Sequence, residues 1–407
     1  MAGRRPRVRP LEPLWTEHEG EQVLILRDRS GVCEQPLAVQ PVIGFILSLC
    51  DGSRDEDAIR AELARELERP LEPAQLADIL DQLERNLILE GPACEAATRA
   101  ALEAYRRAPA RPASCVEAIY PAEAGACRAA LAACGRGDDE RPSRWDAEVR
   151  GVISPHIDYQ RGGRVYHRVW TRAAAAVRAA DLLVVFGTDH AGGPGAVTLT
   201  RQRYDTPFGP LDTDQATVDA LADALGEEVA FAEELHHRAE HSIELAAVWA
   251  ASLLGDQRPA IVPVLCGAFF PYTHEGADPA LDARLVAAVD ALARATAGRR
   301  VVAVAAGDLA HVGPAFGDPA RYDARARERL RAADERLLHA AAWGRAGDLV
   351  AQLRAEQDAR RICGLPPIYL MLRYLGEGAR GEVVGYEQCP ADPEGGSLVS
   401  VAGMLLW

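Results

Sequence analysis

The chain is 407 residues long, 48% hydrophobic and 26% charged, with a formal net charge of -15. That length favours two domains, one of them able to bury a sizeable core, and the composition excludes disorder across the whole chain. The acidic balance excludes nonspecific nucleic-acid binding, which Lys and Arg drive by displacing counterions, and the basic start from Arg4 to Arg9 is too short to change it. No apolar run approaches bilayer-spanning length and the first residues lack the apolar core of a secretory signal, so a soluble, cytoplasmic protein without a membrane partner is expected. Nine cysteines, an odd number with no CxxC pair, do not read as a disulfide framework. Cys33, Cys50, Cys94, Cys127, Cys134, Cys266 and Cys389 are read as reduced and packed.

Residues 10–90 carry their own pattern: an extended VLILRD, an apolar PVIGFILSLCDG, a helix opening at SRDEDAIRAELAREL and another at EPAQLADILDQLERNLI. Ser53 and Glu56 have the spacing of a capping box, and Ile59, Leu63 and Leu67 recur on one helical face. Leu76, Ile79, Leu80 and Leu83 do the same in the next helix. With the extended LILEG that follows, they predict a small winged-helix-like α+β domain holding nothing catalytic. The stretch resembles the PqqD-like peptide-recognition domains through ILSLCDGSRDEDAIRAELA and LADILDQLERNLIL. That resemblance implies recruitment of a peptide or partner; the bland alternative is a helical appendage or dimerisation module. Residues 91–114, with EAYRRAPARPAS, read as a helix running into a linker, and GRGDDERPSRWDAE at 135–148 as a polar loop.

Over residues 115–407 apolar strand candidates alternate with helical stretches. The strands are VRGVISP, ADLLVVFGTDH, AVTLT, RPAIVPVLCGA, RRVVAVAAGDLAH and SLVSVAGMLL; the helices fall at 164–179, 214–226, 241–254, 279–297, 322–354 and 366–375. Such alternation predicts an α/β domain, a largely buried sheet with helices on both faces.

Three strands end in a histidine within a polar turn: His156 in ISPHIDY, His190 in VVFGTDHAG and His311 in VAVAAGDLAHVG. Loops at the carboxyl ends of strands in open α/β sheets gather into one crevice, so residues distant in sequence can converge there. Imidazole is a common ligand for zinc, iron and copper, and a thiolate is its soft partner. Cys363, in ARRICGLPPIYLML, is the candidate thiolate, placed where a helix N-terminus and Arg360 and Arg361 can hold its charge. Asp189 is read as a turn cap, His236 and His237 as solvated, and His18, His167, His274 and His339 as lacking strand-end context.

The ordered segments AIYPAEAGACRAAL, ISPHIDY, FGTDH, AEHSIELA, IVPVLCGAF, GDLAHVG, ICGLPPI and SLVSVAGMLL resemble the Memo family, which includes the AmmeMemoRadiSam system protein B group. The resemblance covers about residues 115–407. It implies a sheet similar to that of the LigB-type extradiol dioxygenases, which are non-haem iron proteins, and a metal pocket lined by His156, His190, His311 and Cys363. It also implies that Asp308 orients a ligand or exchanges a proton, and that His241 of AEHSIE acts as a general acid or donor behind the ligands. Glu240 and Glu244 fall one turn apart on the same helix. Where family members carry SPHAGY, GPSHH and ICGRHP, this chain has SPHIDY, GTDHAG and ICGLPP, which offers Asp158 as an extra acid or ligand.

These readings predict a metal-dependent oxidoreductase, with Fe(II) the expected ion and copper or zinc able to compete. Its substrate is a peptide or small molecule, and a radical-SAM or peptide-pathway protein is the expected partner. A noncatalytic metal- or peptide-binding adaptor and a zinc-dependent hydrolase are the alternatives.

Overall fold

The computed structural model describes all residues except 1–3, 19, 29, 34, 68–70, 139–145, 147 and 256–257, so most of the polar loop expected at 135–148 lies outside the described residues. The chain divides into two units, Met1–Ala108 and Pro109–Trp407.

In the first unit β1 (Glu12–His18), β2 (Glu21–Arg27) and β3 (Leu37–Val39) form an antiparallel sheet in that order. Four helices follow, α1 (Pro41–Leu49), α2 (Glu56–Leu67), α3 (Pro73–Arg85) and α4 (Pro92–Arg107). Leu24 and Leu26 of β2 share one core with Ile46 and Leu47 of α1, Ile59 and Leu63 of α2, and Leu76, Leu80 and Leu83 of α3. The side chain of Leu67, expected on the same face, lies outside the described residues. Gly52 turns the chain between α1 and α2 at a φ of 81°, and Asp51 Oδ1 accepts the Ser53 N–H at 2.8 Å. Ser53 is therefore spent on Asp51, and the capping box expected with Glu56 does not form. Asp55 caps α2 instead, taking the Ala58 N–H at 2.9 Å, while Glu72 and Gln75 make a capping box on α3. The LILEG segment contributes one bridge, Val8 with Leu89, and is not a strand of the sheet.

The second unit contains, in order, α5 (Ala124–Ala133), β4 (Gly151–Ser154), α6 (Tyr159–Ala179), β5 (Leu182–Thr188), β6 (Val197–Leu199), α7 (Gln215–Leu225), α8 (Glu227–Ala230), α9 (His236–Ala239), α10 (His241–Leu253) and β7 (Ala260–Cys266). It continues with α11 (Phe270–Thr273), α12 (Ala283–Ala295), β8 (Val301–Ala306), β9 (His311–Val312), α13 (Ala324–Ala342), α14 (Ala346–Ala355), α15 (Leu365–Leu375), β10 (Gly381–Pro390) and β11 (Leu398–Leu406). The sheet order is β10-β11-β4-β8-β5-β7-β6, with β9 pairing β11. The inner strands β4, β8, β5 and β7 are parallel, while β6, β11 and β10 run antiparallel to their neighbours.

Both faces of this sheet are covered, as its apolar strands require. Along β5, Leu182, Val184 and Phe186 enter the layer built with α7, α12 and α15, while Leu183 and Val185 enter the layer built with α6 and α10. Truncating a buried Leu such as Leu183 to Ala in a layer of this kind costs about 2–5 kcal/mol. Trp170 of α6 is wholly buried, and its indole N–H donates to Ser154 Oγ at 3.0 Å, which ties the helix to the end of β4.

The helix expected over 322–354 is two helices. Gly344, at a φ of 66°, ends α13 in a Schellman turn, with Arg345 N–H on Ala340 O and Gly344 N–H on Ala341 O. Strand β10 has no counterpart in the expected elements. It lies at the sheet edge with Val383 exposed and Val384 buried, so it shows a one-sided, partly polar pattern where a buried apolar run was sought.

Candidate metal centre

The parallel strands deliver their carboxyl ends to one crevice. His156 follows β4 by two residues, His190 follows β5, and Asp308 follows β8. Helix α10 begins at His241 over the same crevice, and Cys363 precedes α15. The ligating atoms of His156, His190 and His241 lie within 4.8 Å of one another, and their ring centroids are 5.0–5.1 Å apart. Cys363 Sγ stands 3.2 Å from His156 Nε2.

Each ring is oriented from behind. His156 Nδ1 faces Ala306 O at 3.2 Å, and His190 Nδ1 faces Glu240 Oε2 at 2.9 Å. His241 Nδ1 faces Glu240 Oε1 at 3.2 Å. Glu240 also caps α10 through the Ser242 N–H at 3.0 Å and takes the His190 backbone N–H at 3.1 Å. One carboxylate thus holds two imidazoles, the arrangement by which a hydrogen-bond acceptor fixes a ligand's tautomer. Asp308 Oδ1 accepts the N–H groups of His156 and Ile157 at 2.9 and 3.2 Å, which fixes the turn after β4.

Electrostatics follow from this enclosure. Burial, reinforced by charge on His190 and His241, pushes the His156 imidazole well down. For His190 burial acts in the same direction, but Glu240 and Cys363 override it and raise its pKa. Burial works against charge on Glu240 as well, and His190 and His241 nonetheless hold its carboxyl well below the ordinary range. Burial raises Asp308 to about 7, against the two N–H donors that favour its carboxylate. Cys363 is pushed up by burial and by Asp308, with His190 opposing.

The expected residues therefore divide. His156, His190 and Cys363 meet, and His241, expected as an acid or supporting donor, completes the close histidine group. His311 lies outside that group. Its Nδ1 faces two carbonyls, Leu309 O at 3.2 Å and Arg361 O at 3.1 Å, and burial followed by charge on His190 pushes it down to about 4. Asp308 lies beside His156, its Oδ2 3.8 Å from His156 Nε2. Asp158, expected as an extra acid or ligand, is the N-cap of α6: Oδ1 accepts the Arg161 N–H at 3.0 Å and Oδ2 pairs with Arg161 Nε at 2.6 Å. Its two oxygens are committed to starting that helix. The arginines expected to hold a Cys363 thiolate are committed too, Arg360 to Asp334 and Glu356, and Arg361 to Asp318.

Other residues have roles that the sequence reading did not give them. Glu244, one turn beyond Glu240, is wholly buried and anchors the segment after the linker: it takes the N–H groups of Ser114 and Cys115 at 2.9 and 2.8 Å, the Tyr120 hydroxyl and the Arg111 guanidinium. Residues 111–114, expected at the end of a linker, thus belong to the α/β unit. His236 and His237 are not solvated. His236 Nδ1 meets Asp189 Oδ2 at 2.9 Å, and His237 is wholly buried between the Tyr204 hydroxyl at 2.7 Å and Thr198 O at 3.0 Å. Asp189 still caps its turn, accepting the Ala191 N–H at 3.1 Å.

Burial pushes His237 down to about 3, aided by the charge of Arg111 against the Thr198 carbonyl. The unfolded chain binds this proton near pH 6.5 and the folded chain does not. The stability His237 contributes is therefore present above about pH 6.5 and is lost as pH falls from there toward 3, by at most about 1.4 kcal/mol per pH unit. Denaturant titrations across that window are expected to show a steeper acid loss for the wild type than for His237→Gln. Equal slopes would contradict the assignment.

Fold and site together define an α/β protein with a histidine-lined candidate metal centre at the carboxyl end of its sheet. A family profile described as Memo-like protein matches residues 111–405, and the chain belongs to that family. It is 27% identical over 272 residues to a MEMO1 family protein of Methanococcoides burtonii, covering 66% of this chain and 89% of the relative. To a MEMO1 family protein of Aquifex aeolicus it is 22% identical over 388 residues, 94% of this chain and 96% of the relative, so that similarity takes in most of the N-terminal unit as well. A MEMO1 family protein of Archaeoglobus fulgidus is 24% identical over 261 residues, 64% of this chain and 87% of the relative. Among the described residues no helix is long and apolar enough to cross a membrane.

Proposed function

We propose that the chain is a metal-dependent oxidoreductase whose ion is iron(II), with copper and zinc as competitors, acting on a peptide or small-molecule substrate. The observation that carries this reading is the set of three imidazoles whose ligating atoms lie within 4.8 Å of one another, each with Nδ1 facing an oxygen acceptor, and with the Cys363 thiol 3.2 Å from His156 Nε2. Metal–nitrogen bonds of 2.0–2.1 Å and a metal–sulfur bond near 2.3 Å put neighbouring nitrogen and sulfur donors about 3.1 Å apart at a right angle and about 3.5 Å apart at a tetrahedral angle. The 3.2 Å between Cys363 Sγ and His156 Nε2 fits that spacing with little movement. His156, His190, His241 and Cys363 would hold the ion, with His311 and Asp308 flanking it. When bound, iron(II) supplies one-electron redox chemistry and coordination positions beyond the protein donors.

The chain's own groups prepare the rest. Glu240 orients two ligands, and Asp308, with a pKa near neutrality, can hold or release a proton beside His156. A cavity of about 270 Å³ reaches His190 and Cys363 and is walled by Phe269, Phe270, Ile362 and Leu365, an apolar space for a small molecule or one side chain of a peptide. In the N-terminal unit β1 is an edge strand with Leu14 and Trp15 exposed, the kind of edge to which an extended peptide adds by backbone hydrogen bonding. This unit is proposed to recruit the substrate or a radical-SAM or other peptide-pathway partner.

Full-length protein purified without oxygen and loaded with iron(II) is expected to consume dioxygen when a substrate peptide is added, and Trp15→Ala to raise KM for that peptide severalfold at unchanged kcat. Iron uptake with no oxygen consumption across peptides and small molecules would leave a metal-holding adaptor and contradict the oxidoreductase reading.

A further inference from the structure

A second group of donors lies one residue from the first. After β5 the chain carries Asp189 and His190 in succession: His190 turns to Glu240, and Asp189 turns to His236. Asp189, Glu233 and His236 present ligating atoms within 4.8 Å of one another. The Asp189 side chain is wholly buried, and Glu233 and His236 are partly covered. Asp189 Oδ2 stands 2.9 Å from His236 Nδ1, which in turn is 4.0 Å from Glu233 Oε2. Adjacent corners of an octahedron with bonds of about 2.1 Å are about 3.0 Å apart, so the first separation is that of two cis ligands.

The backbone is shaped around these carboxylates. A Cβ on Gly192 would stand 2.7 Å from both Asp189 Cγ and Oδ2, and one on Gly193 3.4 Å from Glu233 Oε1. The Gly193 N–H donates to both Glu233 oxygens at 3.3 Å, and Asp189 Oδ1 is taken by the Ala191 N–H, which leaves Oδ2 directed to the third donor. The glycine pair thus forms a cradle that side chains would fill, and two acids are held against one imidazole inside it.

We propose that Asp189, Glu233 and His236 form a second divalent-cation site, separate from the histidine and thiol centre. Two carboxylates and one imidazole suit a hard to borderline ion such as Mn²⁺, Fe²⁺, Co²⁺ or Zn²⁺ that keeps water in its remaining positions, whereas the first centre offers soft sulfur. The two sites share the turn at residues 189–190, so filling the second holds the loop that carries His190.

Cobalt(II) separates them, because only the Cys363 centre can give a sulfur-to-metal charge-transfer band. Chelator-stripped, full-length protein, saturated with Co²⁺ and desalted, is expected to retain two equivalents and show that band. Glu233→Gln and, independently, His236→Gln are expected to retain one equivalent with the band intact, which also shows that the variants are folded. One equivalent in the wild type that persists with its band in Glu233→Gln, or two equivalents in both variants, would overturn the second site. One equivalent without the band, lost in Glu233→Gln, would support the second site and count against the first.

Discussion

Replacing Arg111 by Ala is expected to destabilise the α/β unit by about 3–5 kcal/mol, the cost of leaving a buried carboxylate without its partner. Arg111 is wholly buried and pairs with Glu244, donates to His237 O at 2.7 Å and Glu240 O at 2.8 Å, and lies over the Tyr204 ring. It therefore joins residues 111–120 to the start of α10, the turn that carries Glu240 and His241. Arg111→Lys should recover little, because a single ammonium cannot reproduce donors spread over four acceptors, the Ser114 hydroxyl among them. Denaturant unfolding of the three proteins measures this, and a loss below about 1 kcal/mol for Arg111→Ala would show that the pair does not anchor the segment.

Glu240→Ala is expected to weaken metal binding by about 10–100-fold, the range for losing a carboxylate that orients a ligand histidine. The effect should lie near the upper end, since this one side chain faces both His190 and His241. Glu240→Gln should retain part of the affinity, because its amide oxygen can accept one of the two hydrogen bonds. Competition against a chromophoric chelator reads both constants. Equal affinities for wild type and Glu240→Ala would mean that the two rings are positioned by packing alone.

What the sequence disclosed and what it concealed divide along physical lines. Strand-end histidines were legible because parallel strands must gather their carboxyl-end loops, and that rule brought His156 and His190 together without any distance being known. His241 was placed at the start of the right helix and toward the pocket; the closeness of its ring to His156 and His190 depends on how α10 packs over the end of β5, which no local pattern encodes. His311 follows the end of β8 by five residues, where the chain has already entered β9 against β11, and it lies outside the close group of three histidines. Asp158 misled because an Asp before a helix serves a cap as readily as a metal. Glu240 had a signal, an acid in the N-cap position directly before a histidine, that was legible but unused. The Asp189–His236 contact had none, as 47 residues separate the partners.

The central claim is that His156, His190, His241 and Cys363 bind one ion. Its most direct test is the metal content of anaerobically prepared protein, after loading with iron(II) and desalting, for wild type, His156→Ala and the Glu233→Gln variant that spares this centre. The account predicts that His156→Ala retains one equivalent fewer than wild type while its circular dichroism is unchanged, and that the metal kept by Glu233→Gln is the metal His156→Ala loses. A folded His156→Ala protein holding as much iron as wild type would contradict it.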